Sequence, residues 1–257
     1  MSDLNDVIKA CRYLIQNSPE GEECLNYLSS RLNAEAQEKF AFGYFPNTST
    51  LNLMTALIDE ESLKRLGLLY TKEVGDANGA HSFSFGYFDN HPLVMPYRDV
   101  HGQVIGIVGR TILNDAERNS IGIAKYKNTR FTKGNHVFGL YEAKKSILKA
   151  GFVYVVEGQF DVIKAVEQGL KNVVALGSAD MSAYQLSLIC RYTNNILLLL
   201  DNDEAGDKGR KRAVDKYSTF ANVNNVYLPT GYKDIDDYLK QNNVESMSLI
   251  TKNVSYL

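Results

Sequence analysis

Two apolar runs in the second half of the chain constrain its fold more than any other feature. Residues 152–156 and 196–200 each contain five consecutive apolar residues, and each run ends directly on an acid, Glu157 or Asp201. Such runs, bounded by polar residues, are typical of strands that are buried on both faces. Strands of that kind belong to parallel sheets covered by helices, so the sequence predicts an α/β fold.

Strand and helix patterns alternate from residue 140 onward, with glycines at the boundaries. This alternation predicts parallel βαβ units with right-handed crossovers. Strands are expected at residues 152–156, 172–176, 196–200 and 224–228, and helices at 140–149, 160–168, 181–191, 205–219 and from 233.

The first half of the chain has a different organisation. Residues 3–16 have apolar residues at helical spacing, and shorter helical patterns follow. A period of two begins near residue 82, and residues 91–110 predict a β-hairpin. Polar residues 114–119 predict a mobile segment, and basic, aromatic residues 124–134 predict a loop.

Composition excludes several classes of protein. The 257 residues include three cysteines, four histidines and no Cys-x-x-Cys pair, which excludes the usual structural zinc patterns. The chain has no 18-residue apolar stretch and no signal-peptide core at its start. Because sparse cysteines fit a reducing compartment, we expect a soluble protein of the cytoplasm that needs no zinc.

The formal net charge of −2 conceals an uneven distribution. Residues 98–149 contain ten Lys or Arg and four Asp or Glu, whereas residues 201–207 contain four acids and no base. This distribution predicts a basic surface for a polyanion and an acidic pocket for metal ions. An ordinary mixed surface is the alternative.

Acidic side chains follow two of the predicted strands where each strand ends. Asp161 lies four residues after Glu157, in the first turn of a helix, where free N–H groups stabilise a carboxylate. Asp201 and Asp203 are two residues apart and point the same way on an extended segment. Since open α/β sheets bind ligands at this edge, the acids predict a divalent-metal site. The alternative is that Asp201 and Asp203 only cap the next helix.

These acidic segments resemble the Toprim domain, which DnaG-type primases share with topoisomerases and some nucleases. Residues 157–161 match the primase pattern E-G-x-x-D, and residues 201–203 match the metal-binding D-x-D motif. Residues 174–179 are close to the family pattern A-x-x-G-(T/S)-A.

The resemblance to primases covers residues 27–239 in order. Further matching segments are residues 27–32, 40–46, 104–110, 125–129, 131–134, 138–141 and 233–239. The resemblance implies an α+β N-terminal subdomain at residues 1–139, a Toprim subdomain with a mostly parallel sheet at 140–230, and a short helical segment at 231–257.

The resemblance also implies roles for single residues. Catalytic Mg²⁺ or Mn²⁺ ions would be bound by Glu157, Asp201 and Asp203, and Asp161, Asp234 and Asp236 would complete the acidic site. Template or nucleotide phosphates would be bound by Arg31, Arg110, Lys125, Asn128 and Lys133. The alternatives are a solvated charge run for the basic loop and a surface role for Arg31.

Two departures from the family pattern stand out. Ile235 replaces a proline between aspartates, which should change local backbone rigidity without removing ligands. The sequence contains no cysteine pair for a zinc ribbon, and few residues follow the core. We therefore expect a bare polymerase core, of phage or mobile-element origin or an excised fragment, with a replicative helicase and a zinc-bearing template reader as partners.

The resemblance implies a primase core that synthesises short RNA primers on single-stranded DNA from ribonucleoside triphosphates by two-metal nucleotidyl transfer. Two other classes stay open. A Toprim nuclease or recombination factor would use the same acids for hydrolysis, but it gives no reason for Arg110, Lys125 and Lys133 at primase positions. A non-catalytic nucleic-acid-binding protein would keep the fold, and the intact acids argue against it.

Overall fold

Residues 3–76 and 79–247 are described by the computed structural model of the chain, and they divide into two units. The first unit contains the described residues up to Tyr97 together with Gln103–Phe131. The second contains Arg98–Gly102 and the described residues from Thr132 onward.

Helices begin the first unit. Helix α1 (Leu4–Asn17) starts at Asp3, whose side chain forms a capping box with Asp6. Its apolar stripe is buried, as the helical spacing predicts. Ser18 caps a short 3₁₀ turn before the second helix. The further helices are α2 (Glu22–Ser29), α3 (Ala34–Lys39), α4 (Asn52–Thr55) and α5 (Glu60–Arg65).

The strands of the first unit form two sheets. They are β1 (Gly43–Tyr44), β2 (Leu69–Asp76), β3 (Gly79–Gly86), β4 (Leu93–Arg98), β5 (Val104–Arg110) and β6 (Tyr126–Asn128). One sheet has the order β1-β4-β5-β6, and β2 and β3 form a separate antiparallel pair. The predicted hairpin at residues 91–110 is confirmed as β4 and β5.

Three predictions for this unit are wrong. Strand structure starts before residue 82, with β1 at Gly43–Tyr44 and β2 from Leu69. The sequence did not indicate β2 because its residues 70–73 are all exposed and lack the alternation of a half-buried strand. Residues 115–120 form helix α6 (Asp115–Ser120) instead of a mobile segment, since Asn114 and Glu117 form a capping box at its start. Within the predicted loop, β6 pairs with β5.

The second unit alternates helices and strands. Its elements are α7 (Leu140–Ala150), β7 (Val153–Val156), α8 (Gln159–Glu167), β8 (Val173–Ala175), α9 (Ala183–Ile189), β9 (Asn195–Leu198), α10 (Glu204–Tyr217), β10 (Asn222–Asn225) and α11 (Ile235–Leu239). The strand order is β10-β9-β7-β8, and all pairs are parallel. The predicted α/β class is confirmed. Residues 248–257 of the predicted C-terminal segment lie outside the described residues.

The sheet of the second unit brings the two acid-tipped strands together. Strands β7 and β9 are neighbours, with Val153 opposite Ile196 and Val155 opposite Leu198. Their side chains are buried on both faces, because helices cover the sheet. The acids after both strands therefore leave the sheet at the same edge. Within residues 3–76 and 79–247, every helix is too short or too polar to cross a membrane.

Candidate active site

The acids after β7 and β9 are in direct contact. The backbone N–H of Asp201 donates a hydrogen bond of 3.3 Å to Oε1 of Glu157. This contact joins residues 44 positions apart in the chain, and it follows from the pairing of the two strands. The edge expected from the sequence is therefore formed by these two residues.

Asp161 is fixed in the first turn of α8. Its Oδ2 accepts a hydrogen bond of 3.0 Å from the backbone N–H of Gly158. A Cβ atom on Gly158 would lie 2.5 Å from the same oxygen, so any side chain there would displace the Asp161 carboxylate. The E-G-x-x-D pattern thus has a steric reason at this position.

Asp203 is the N-cap of α10. Its Oδ1 accepts a hydrogen bond of 2.9 Å from the N–H of Gly206. The capping interpretation is therefore confirmed for Asp203. The helix start lies so close to the strand end that a Cβ atom on Gly206 would overlap the carbonyl oxygen of Asp201.

The segment before α11 is hydrogen-bonded to the D-x-D segment. Asn202 donates its backbone N–H to the carbonyl of Lys233 at 2.7 Å and its side-chain Nδ2 to the carbonyl of Tyr232 at 2.9 Å. Asp234 caps α11 by accepting from the N–H of Asp237 at 2.8 Å. These bonds place Asp234 beside the acids of the two strands.

The carboxylates of this edge affect one another electrostatically. Burial raises the pKa of Asp161 to about 8, and the charges of Asp234 and Asp201 also raise it. Burial and the charge of Asp201 raise the pKa of Glu157 above its usual range. The pKa of Asp201 is raised by burial and by Asp234, and Lys233, whose Nζ lies 4.0 Å from Asp201 Oδ2, opposes the rise.

The donor set suits a hard divalent cation. All its side-chain donors are carboxylate oxygens, and a cation would relieve the repulsion that raises their pKa values. The buried Oδ1 of Asp236 has no hydrogen-bond partner among the described residues, while its Oδ2 lies 3.3 Å from Lys240 Nζ. Across residues 3–76 and 79–247, no three Asp, Glu, His or Cys side chains are placed to hold one metal ion. Magnesium typically takes one or two carboxylates from the protein and completes its coordination with water and substrate phosphates. This edge offers the carboxylates.

Arg210 is a residue of the site that the sequence interpretation missed. Its side chain is 1% exposed, and its Nη atoms donate to the carbonyls of Leu200 at 2.7 Å and Asp201 at 3.1 Å. The signal was present in the sequence, because Arg210 falls on the same helical stripe as Gly206, Ala213 and Tyr217, all buried.

Three of the predicted basic residues meet in the first unit around two tyrosines. Arg110 is 4% exposed and donates through Nε to Tyr27 Oη at 3.0 Å and through Nη1 to Tyr126 Oη. Arg31 donates to the same Tyr27 hydroxyl at 3.2 Å, and Lys125 lies over the ring of Tyr126. Arg110 is thus a buried organiser of this cluster rather than an exposed side chain.

The other two predicted phosphate-binding residues lie elsewhere. Asn128 belongs to β6, and its backbone carbonyl accepts from the hydroxyl of Tyr87 at 2.6 Å. Lys133 belongs to the second unit, where its side chain lies against Gly177. Gly177 donates its N–H to the carbonyl of Glu157 at 2.9 Å. Lys133 therefore lies at the same sheet edge as the acids, and the other four predicted basic-site residues belong to the first unit.

Two family models match the chain. Residues 12–144 match the N-terminal domain of the DNA primase catalytic core, and residues 154–239 match a Toprim-like domain. The domain limits expected from the sequence, 139/140 and 230/231, stay predictions.

Curated relatives are DNA primases. The DNA primase of Aquifex aeolicus (strain VF5) is 32% identical over 239 residues, which cover 91% of this chain and 45% of the relative. The DNA primase of Synechococcus elongatus is 32% identical over 241 residues, covering 88% of this chain and 33% of the relative. The chain thus spans less than half the length of either relative.

Solved structures of similar fold are primase cores. The structure of the A. aeolicus primase, with its zinc-binding and RNA polymerase domains, matches with a TM-score of 0.76 at 30% identity. The match covers 98% of this chain and 62% of the A. aeolicus chain. A DnaG primase catalytic domain bound to single-stranded DNA has a TM-score of 0.74 at 26% identity, covering 96% of this chain and 81% of its own. The chain therefore belongs to the DnaG-type DNA primase family, with the N-terminal domain of the catalytic core followed by a Toprim domain.

Proposed function

We propose that this chain is a DNA primase catalytic core that synthesises short RNA primers on single-stranded DNA from ribonucleoside triphosphates. The observation that carries the proposal is the contact between Glu157 and Asp201 at one edge of a parallel sheet. This edge lies in a chain whose relatives are DNA primases.

The acids would bind the divalent ions. Glu157, Asp201 and Asp203 are proposed as the catalytic ligands, and Asp161, Asp234 and Asp236 as the residues that complete the acidic site. Bound Mg²⁺ or Mn²⁺ would supply activation of a primer 3′-hydroxyl and neutralisation of the leaving pyrophosphate. The chain fixes the ligands before substrate arrives, because Asp203 caps α10 and Asp161, in the first turn of α8, is hydrogen-bonded to the N–H of the N-cap residue Gly158.

The basic residues would bind phosphates of the template or the nucleotide. Lys133 is proposed for the acidic edge itself, and Arg31, Lys125 and Asn128 for the first unit. Arg110 would act by fixing Tyr27 and Tyr126 beside them. Such contacts position a strand without reading its sequence.

The partners are also part of the proposal. A related catalytic domain has been solved bound to single-stranded DNA, which supports that substrate class for this chain. A replicative helicase and a zinc-bearing template reader remain proposed partners, and the cytoplasm is the proposed location because DNA replication would supply the substrates there.

The test is primer synthesis with single-stranded DNA, labelled ribonucleotides and Mg²⁺ or Mn²⁺. We expect labelled oligoribonucleotides from the wild type and at least a 100-fold loss in Glu157→Gln and Asp201→Asn, the order of effect seen when transition-state charge stabilisation is removed. The matched control is Asp215→Asn, an exposed acid on α10, which should retain full synthesis.

Each alternative has its own product. Cleavage of the template without synthesis would show the Toprim nuclease instead. Binding of single-stranded DNA with neither synthesis nor cleavage, in either metal, would show a non-catalytic binding protein.

A further inference from the structure

Arg210 places a buried positive charge directly behind the D-x-D segment. The side chain projects from α10 onto the end of β9, and it bonds to two consecutive backbone carbonyls, those of Leu200 and Asp201. A third bond of 2.6 Å joins it to Asp207, one turn earlier in the helix. The guanidinium also lies over the ring of Tyr227, 4.5 Å from its centre.

Burying the guanidinium of Arg210 costs desolvation free energy that an apolar side chain at this position would not. Its Nε is buried without a hydrogen-bond partner in the described part of the chain. Its ion-pair partner Asp207 is 64% exposed, so the pair adds little stability. Replacing a buried ion pair by apolar side chains of similar volume is often neutral or stabilising. What the guanidinium provides and an apolar side chain would not is a fork that holds two successive carbonyls.

The two carbonyls belong to the residues that set the direction of Asp201. The carbonyl of Leu200 and the N–H of Asp201 belong to one planar peptide group. By holding that carbonyl, Arg210 therefore also directs the N–H of Asp201 toward Oε1 of Glu157. Gly206 also approaches the carbonyl of Asp201 closely, which restricts the backbone of this segment further.

We propose that Arg210 is a positioning residue, which fixes the strand end so that the carboxylates of Asp201 and Glu157 are held together for divalent-cation binding. The effect of Arg210 on primer synthesis rests on the proposed function. The geometric part of the proposal concerns the protein alone.

The test compares Arg210→Met, Arg210→Lys and a matched control, Arg212→Met. Arg212 lies on the same helix, but its side chain is 52% exposed and pairs with Asp180. Hydrogen exchange of residues 199–206 is measured without metal, and Mn²⁺ binding is measured by electron paramagnetic resonance without nucleotide. Thermal unfolding confirms that each variant is folded.

We expect amide exchange in residues 199–206 to rise at least tenfold in Arg210→Met and Mn²⁺ to bind about tenfold more weakly. Arg210→Lys should fall between, because an ammonium has no planar fork to hold both carbonyls, and Arg212→Met should match the wild type. Saturating Mn²⁺ should restore most of the synthesis rate of Arg210→Met, because the ligands themselves are intact and only their affinity for the cation is reduced.

Unchanged exchange and unchanged Mn²⁺ binding in folded Arg210→Met would overturn the proposal. If Arg210→Met does not fold, Arg210→Lys decides in the same way. A wild type that makes no primers would overturn the proposed function alone, since the exchange of residues 199–206 still decides whether Arg210 fixes this segment.

Discussion

Asp161 is a residue of the site whose charged form is unfavourable in the folded protein. It receives one backbone hydrogen bond, while burial and three neighbouring carboxylates, those of Asp234, Asp201 and Asp236, raise its pKa to about 8. The unfolded chain has no such neighbours, so its Asp161 would titrate near the ordinary value of 3.8. The folded protein therefore carries an electrostatic cost that a cation would remove.

This cost predicts the pH dependence of stability. Because the folded pKa lies above the unfolded one, the contribution of Asp161 is fully favourable below pH 4 and is lost as pH rises through 8. Asp161→Asn keeps an acceptor for Gly158, so without metal it should be more stable than the wild type at pH 8, by up to ~6 kcal/mol, since the pKa rises from 3.8 to about 8 and each pKa unit corresponds to ~1.4 kcal/mol. Thermal unfolding from pH 4 to pH 9 measures this, and equal slopes for both proteins would contradict it.

Gly206 gives a second prediction at this scale. In Gly206→Ala the new Cβ would overlap the carbonyl of Asp201, so the helix start must move away from the strand end. We expect a loss of about 2 kcal/mol in the free energy of unfolding, within the usual range for overpacking, together with loss of primer synthesis. Gly134→Ala is the control, because its Cβ would approach Ser182 only to 3.7 Å. Denaturant unfolding that leaves Gly206→Ala as stable as Gly134→Ala would show that the helix start is free to move.

Helix α10 combines two tasks in one element. Its N-cap, Asp203, accepts a hydrogen bond from one otherwise unpaired N–H group of the first turn, that of Gly206, and also places a carboxylate at the proposed metal site. The capping and site interpretations of the D-x-D motif are therefore not alternatives here, since the same side chain satisfies both.

The two tasks can be separated by substitution. Asp203→Asn keeps the capping oxygen and removes the charge. Its free energy of unfolding should stay within about 0.5 kcal/mol of the wild type, while its rate of primer synthesis should fall. Asp203→Ala removes both and should also lose about 1 kcal/mol. Thermal unfolding and primer synthesis are measured on the same preparations. An Asp203→Asn protein with full synthesis would assign Asp203 to capping alone.

The predictability of the elements follows from how each is stabilised. Strands β7 and β9 are buried on both faces, so their composition alone identifies them. Residues 70–73 of β2 are all exposed, and helix α6 has a capping box but no buried residue, so neither element shows a periodic apolar pattern. The helical stripe indicates that Arg210 is buried, but it does not indicate a role, because the two carbonyls that Arg210 contacts are known only from the fold.

At the scale of the whole molecule, charge is divided between the units. The acids at the sheet edge and Lys133 belong to the second unit, and the cluster of Arg31, Arg110 and Lys125 belongs to the first. A net charge of −2 therefore does not describe the surface that a nucleic acid would meet.

This division predicts the salt dependence of binding to single-stranded DNA. Affinity should fall steeply with salt, and Lys133→Ala should make the slope shallower by about 0.7, the contribution of one phosphate contact on a single strand. Lys171→Ala is the control, because Lys171 is exposed and precedes β8, at the end of the strand opposite to Gly177. Fluorescence titrations at several salt concentrations measure both slopes, and an unchanged slope in Lys133→Ala would remove it from the interface.

The adjacency of β7 and β9 also determines when the site can exist during folding. The two strands meet only after the intervening β8 segment has crossed over, and Glu157 and Asp201 are 44 residues apart. Pairing over such a separation carries a loop-closure cost that local helices do not. The proposed divalent-ion site can therefore form only after the two strands have paired, and a cation that binds there would select molecules in which the central strand pair has already closed.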